Sequence, residues 1–290
     1  MKNVMYSSYG FGSNPKQSGQ FESTDWAHIQ RRMIKKYCDN NNIELRVIGY
    51  DNQFFNAILK NVERERDQKD KTHAPYTLSA IAAIFDFVHN TKEKDAKFFW
   101  MHLDMAINKM HESIFDYIDP EDDEMVVWSH FTEWPTLYEN GNPREWDIAK
   151  MQWLKALAKT SNINIDTMNR DRIICNCSYI AMTKRAAIKF VDVVKKYVDI
   201  FDTSFTIDSR FIEETVLELV HIISREKGID LKLSERKGKN QTPIAFCDYD
   251  QGNDKNSLEK TLLNDYDIFI HFWGTNKKHI IPFYKSRKIL

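Results

Sequence analysis

The 290-residue chain has no cysteine pair at C-x-x-C spacing: its four cysteines are Cys38, Cys175, Cys177 and Cys247. That argues against a structural zinc site and against a disulfide framework, and fits reduced thiols in a cytoplasm. The first residues, Met1 to Ser8, lack the apolar core of a signal peptide, and no later run reaches the ~18–20 apolar residues of a membrane span. A soluble, cytoplasmic protein without a membrane span is therefore expected. Net charge is also missing. With 41 basic and 42 acidic residues the chain carries −1, so no overall field draws it to nucleic acid or an anionic membrane, although local patches remain. There is no Gly-rich Walker loop, which removes support for a phosphoryl- or nucleotidyl-transferring enzyme of that type.

Aromatic residues are plentiful: 7 Trp, 12 Tyr and 18 Phe make 13% of the chain, enough for cores and for surfaces that stack on bases and sugars. The length suits one large α/β domain or two small ones. The most apolar stretch is Lys97 to Ile107, where Phe98, Phe99, Trp100, Met101 and Leu103 predict a strand buried on both faces of a mainly parallel sheet. Asp104 closes that run. An isolated carboxylate in such a place must be paired, hydrogen-bonded or metal-bound, so it is expected where the strand leaves the core for a crevice, the ligand site of open α/β sheets. A turn or helix-cap role is the plain alternative.

The chain opens with a predicted strand over Asn3 to Tyr9, followed by the polar loop Gly10 to Gln20. A helix capped by Ser23 or Thr24 runs to about Asn40 with Trp26, Ile29, Met33, Ile34 and Tyr37 on its buried face, and a second strand covers Ile43 to Tyr50. Strand, helix, strand makes a βαβ unit. A helix through Phe54, Phe55, Ile58 and Leu59 leads into the charged run Glu63 to Lys71, and another helix covers Leu78 to His89. Later expectations are a strand at Met125 to Trp128, an aromatic excursion over Phe131 to Trp146, and a helix over Asp147 to Lys159. A strand follows within Arg172 to Thr183, then helices from Lys184 to Val198 and from about Thr206, and a strand at Pro243 to Cys247 in an otherwise loop-rich region.

Three short motifs occur in a telling order. The strand end Phe-Trp-Met-His-Leu-Asp, with His102 and Asp104, resembles the Asp-x-Asp strand end of glycosyltransferase A-fold enzymes, His102 standing at the first acidic position. Asn176-Cys-Ser178 resembles that family's Asn-x-Gly or Asn-x-Ser segment. His271-x-x-Gly274-x-x-Lys277 is similar to the C-terminal His-x-x-Gly-x-x-Lys signature of glycogenin-like retaining members, though the Pro-Trp that usually follows is replaced by Lys278-His279.

The resemblance implies an α/β, glycosyltransferase A-like (Rossmann-like) fold: a mixed, mainly parallel sheet flanked by helices in a single domain, 1–290. Residues 1–130 would form the nucleotide-binding half and 131–290 the acceptor side with the C-terminal metal and diphosphate segment. It implies a divalent metal, Mn or Mg, on His102, Asp104 and His271, and a nucleoside diphosphate sugar as donor. Tyr6, Ser7 and Ser8 would meet the base and ribose, and Gly274 and Lys277 the diphosphate. Asn176 and Ser178 would face the sugar, and Asp208 or the pair Glu213-Glu214 would lie near sugar and acceptor. Each type suits its role: imidazole and carboxylate for the metal, an ammonium for phosphate, and no side chain where phosphate presses close. The implied activity is glycosyl transfer to a hydroxyl of a glycan, a protein or a hydroxymethylated DNA base, with retention favoured; a phage-infected host cell is among the settings. A catalytically inactive sugar- or nucleotide-binding module of the same fold is the competing expectation, favoured by His102 in place of the first Asp.

Overall fold

A computed structural model describes residues 2–8, 25–49, 51–58, 79–131, 154–155, 157–159, 161–163, 174–198, 212–235, 244–246, 267–272 and 278–290. In chain order the elements are β1 (Asn3–Ser8), α1 (Asp25–Asn40), β2 (Glu44–Ile48), α2 (Ser79–Asn90), β3 (Lys97–Met101), β4 (Met105–Ile107), β5 (Glu124–Phe131), β6 (Ile174–Thr183), α3 (Lys184–Tyr197), α4 (Ile212–Lys227), β7 (Lys232–Glu235), β8 (Ile244–Phe246), β9 (Phe269–His271) and α5 (Ile280–Ser286). Short helical stretches also occupy 53–58 and the described part of 154–159. Among the described residues no helix is long and apolar enough to cross a membrane. The charged run and most of the aromatic excursion lie outside the described residues.

Six strands form the main sheet in the order β2-β1-β3-β6-β5-β7. β1 runs parallel to β2 and β3, β5 parallel to β7, and β6 alone runs antiparallel to its neighbours β3 and β5. A second sheet, β4-β9-β8, has β9 antiparallel to β4 and parallel to β8. Strand alternation divides the core. Val4, Tyr6, Phe98 and Trp100 pack against α2, α3 and α4, whereas Met5, Phe99 and Met101 face α1, the small sheet and α5.

The expected run Lys97 to Ile107 is two strands in two sheets. β3 stops at Met101, residues 102–104 turn, and β4 joins the small sheet. Its hydropathy hides the break, because Phe98 to Met101 and Met105 to Ile107 are all buried and the chain stays apolar on either side of His102 and Asp104. β7, the edge strand beside β5, falls in the region expected to be loops, and its four residues pair parallel with Glu124 to Val127. α5 is a further addition to the expected elements. It is anchored by Tyr284, whose hydroxyl donates to Gln30 Oε1 and accepts from the Ile107 amide at 2.9 Å, so α1, β4 and the C-terminal helix share one buried group.

Local chemistry sets the ends of the helices. Asn42 takes a left-handed φ of 53° after α1, and the Ile43 amide returns to the Cys38 carbonyl at 2.9 Å, a Schellman closure. Cys38 is a free buried thiol whose pKa burial pushes up to about 12. At α3, the Thr183 hydroxyl caps the Ala186 amide at 3.2 Å. The adjacent Lys184 reaches back to the end of α2 and donates to the carbonyls of Phe87 and Thr91 at 2.9 Å each and of Val88. Burial draws its pKa below the ordinary lysine value, while three acceptors at a helix C-terminus hold the charge in place.

Lys184→Ala leaves the buried Thr91 carbonyl without this donor, while the Phe87 carbonyl keeps the Thr91 amide at 3.1 Å, and is expected to cost about 1–3 kcal/mol in urea denaturation, the range for one orphaned acceptor. His221 on α4 accepts the Leu233 amide of β7 through Nδ1 at 3.1 Å, and burial, with Arg225 nearby, lowers its pKa from 6.5 to about 4. Its folded-state pKa is depressed, so its stabilisation is complete above pH ~6.5 and is lost as pH falls toward about 4. Replacing His221 by Gln is expected to flatten the stability profile in that window, read by thermal melts at graded pH.

Candidate metal and donor site

The end of β3, the middle of β6 and the end of β9 meet at one point. The register of β3 with β6 continues one residue past Met101, where the His102 amide donates to the Ser178 carbonyl at 3.0 Å. β9 enters beside the turn: Met105 stands opposite His271, and the Phe272 amide donates to the Asp104 carbonyl at 2.9 Å. Backbone hydrogen bonds therefore fix three sequence-distant segments before any side chain acts. Gln30 of α1 adds a fourth tie, its amide donating to the Met105 carbonyl.

Onto this frame the side chains place two imidazoles and a carboxylate. His271 Nε2 lies 3.1 Å from Asp104 Oδ1, and His102 Nδ1 lies 4.0 Å from the same oxygen. One ligand atom from each of His102, Asp104 and His271 falls within 4.8 Å of the others. The side chains of His271 and Asp104 are 6% and 12% exposed and that of His102 20%, so the group opens to solvent through His102. Behind His271, the Ser178 hydroxyl sits 3.0 Å from Nδ1 with Ser178 fully buried. With Nδ1 donating to Ser178, the Nε2 lone pair points toward Asp104, the arrangement in which a histidine ligates through one nitrogen and is oriented through the other.

The donor set fits a divalent ion. Ligand atoms about 2.1 Å from one centre stand roughly 3 Å apart in cis and roughly 4.2 Å apart in trans, and the His271–Asp104 and His102–Asp104 separations fall in that span. Two nitrogens and one carboxylate oxygen suit a divalent transition ion better than Mg, which favours oxygen throughout.

The remaining expected site residues are placed as follows. Glu213, in the first turn of α4, is 3% exposed and brings Oε1 to 3.4 Å from His102 Nε2, so it joins the cluster; Glu214 beside it is half-buried. Tyr6 lies in the core on the α2 side, where its hydroxyl donates to Asp86 at 2.6 Å and accepts from Arg46 at 2.8 Å; burial and the Asp86 carboxylate raise its pKa. Ser7 faces the opposite side of β1, opposite Met101, and is 2% exposed; its hydroxyl has no hydrogen-bond partner among the described residues. Ser8, also buried, ends the strand. Asp208, Gly274, Lys277 and the Asn176 side chain lie outside the described residues. Ser178, expected toward the sugar, is fully buried with its hydroxyl 3.0 Å from His271 Nδ1, a contact that only strand register brings about. The Glu213–His102 contact had no sequence signal, because it joins residues far apart in the chain.

No family model matches the chain, and no curated protein does. Solved structures do. The chain is similar to a glycosyltransferase involved in the glycosylation of the major capsid of PBCV-1, at 9% identity and a TM-score of 0.50 over 98% of this chain and 99% of that one. It also matches the galactosyltransferase LgtC in complex with donor and acceptor sugar analogues, at 9% identity and a TM-score of 0.44 over 100% and 96% of the two chains. A third match is the bifunctional glycosyltransferase WbbM, at 10% identity and a TM-score of 0.46, where 99% of this chain spans 49% of that one. The strand order, the single antiparallel β6 and the full-length overlap with the capsid-glycosylation enzyme agree: the chain has the glycosyltransferase A fold.

Proposed function

We propose that the protein is a metal-dependent glycosyltransferase that moves a sugar from a nucleoside diphosphate sugar to an acceptor hydroxyl, with retention of anomeric configuration favoured by the motif order. The observation that carries this is the convergence of His102, Asp104 and His271, with Asp104 and His271 separated by 167 positions in sequence, at the exit of β3 in this fold. A bound divalent ion supplies charge to offset a diphosphate and ease its departure. The chain's own groups would do the rest. Asp104 and His271 would hold the ion, with His102 third, and Ser178 would accept the Nδ1–H of His271 so that Nε2 is free to ligate. Lys277 would place an ammonium on the diphosphate, and Gly274 would admit it against the backbone. Ser7 and Ser8, at the end of β1, are assigned to the nucleoside, whereas the Tyr6 hydroxyl is engaged with Asp86 and Arg46. Glu214, Asp208 and Asn176 are assigned to sugar and acceptor hydroxyls, which amide and carboxylate groups recognise by accepting or donating hydrogen bonds.

For the acceptor, a carbohydrate or protein hydroxyl is the first choice and a hydroxymethylated DNA base the second, since a net charge of −1 provides no general attraction to DNA. One specific observation favours a second reading, a binding module without turnover: the three candidate ligands, His102, Asp104 and His271, include a single carboxylate where two are usual in the resembled motif.

Hydrolysis of nucleotide sugars in the absence of acceptor tests the proposal. With Mn present, the wild-type chain should release nucleoside diphosphate from one donor, and Asp104→Ala and His271→Ala should each lower the rate about a hundredfold or more while circular dichroism stays native. Ser178→Ala should weaken Mn binding by roughly tenfold. Full activity in both ligand variants would refute the metal site. Donor binding without hydrolysis in the wild type would establish the module instead.

A further inference from the structure

The replacement of a carboxylate by His102 leaves the cluster short of one negative charge, and the structure offers that charge a step further out. Glu213 projects from the first turn of α4 and is 3% exposed, and its Oε1 stands 3.4 Å from His102 Nε2. The opposite nitrogen, Nδ1, is the one directed at Asp104 Oδ1, 4.0 Å away. The ring thus lies between two carboxylates, and its neighbours fix its orientation: Trp100 meets it edge-on at 6.1 Å between centroids and His271 at 6.0 Å. A buried glutamate beside an imidazole has a physical reason to be there, since desolvation makes an uncompensated carboxylate costly.

We infer that Glu213 is a positioning residue for His102: its carboxylate takes the Nε2–H, so that the Nδ1 lone pair is presented to the ion held by Asp104 and His271. Ser178 stands at hydrogen-bond distance from His271 Nδ1, whereas Glu213 stands at ion-pair distance from His102 Nε2, from which a small turn of either side chain completes the same kind of contact. Glu213 also restores the charge count. One ligating carboxylate and one outer carboxylate make −2, the charge of two ligating aspartates, while nitrogen ligands shift preference from Mg toward Mn. Glu213 therefore acts through the imidazole and not on the sugar. This inference deepens the proposed function and rests on its metal site.

Two measurements separate the inference from that reading. In the first, metal-free protein labelled at histidine nitrogen is studied by NMR, where His102 is expected as the Nε2–H tautomer; in Glu213→Gln that preference should weaken. A His102 protonated at Nδ1 in the neutral form would overturn the inference without touching the metal site. In the second, Mn is titrated calorimetrically into the full chain. Glu213→Gln should weaken binding by about tenfold and Glu213→Ala by more, and in a His102→Asp background the Glu213→Gln change should matter less than about twofold. Unchanged Mn affinity in both Glu213 variants would refute it, as would the same loss in the His102→Asp background. No Mn binding by the folded wild type would refute the metal reading itself and the inference with it. Glu213→Gln keeps the shape of the side chain, so the comparison survives if Glu213→Ala does not fold.

Discussion

The carboxylate of Asp104 stands at the joint between two sheets, and its desolvation constrains everything around it. It is 12% exposed, at the end of a strand whose residues Phe98 to Met101 are all apolar and buried, so it must be compensated at that spot. His271 supplies the contact from the far end of the chain, and that contact needs β9 to lie beside β4 with Met105 opposite His271. The small sheet, the turn at residues 102–104 and the Tyr284–Gln30 anchor are the structural means of meeting that requirement.

The two faces of the main sheet divide the work. The α2, α3 and α4 face carries the large apolar cluster and the Tyr6–Asp86–Arg46 and Lys184 contacts, which fix helices to strands and to one another. The other face, between the sheet and α1, is closed by the C-terminal strand and helix. α4 belongs to the first face through Val216, Leu217, Leu219 and Val220, yet its first turn reaches the joint, so one helix serves both packing and site.

Much of the βαβ beginning was legible in the sequence because α1 has a clear helical period between two short runs bounded by polar turns. The apolar spacing of Ile34 and Tyr37, the Asn-rich end of α1 and the strand at Glu44–Ile48 all recur in the structure. The break between β3 and β4 was not legible, because a run buried on both faces shows no period and only tertiary pairing tells where one sheet gives way to another. β7 is four residues long at a sheet edge and too short to stand out. At the site, His102, Asp104 and His271 could be named from motif spacing, and the structure brings them within 4.8 Å. What spacing could not provide is the outer layer: Ser178 behind one histidine and Glu213 behind the other come together only through strand register and the docking of α4.

The central claim is that this joint binds a metal and, through it, a nucleoside diphosphate sugar. The most direct measurement is thermal stability of the full chain against a panel of nucleotide sugars, with and without Mn, since a ligand bound only by the folded state raises the apparent melting temperature. A Mn-dependent rise with one nucleoside diphosphate sugar is expected, and it should disappear in Asp104→Ala. A melting temperature indifferent to every donor in the presence of Mn would contradict it.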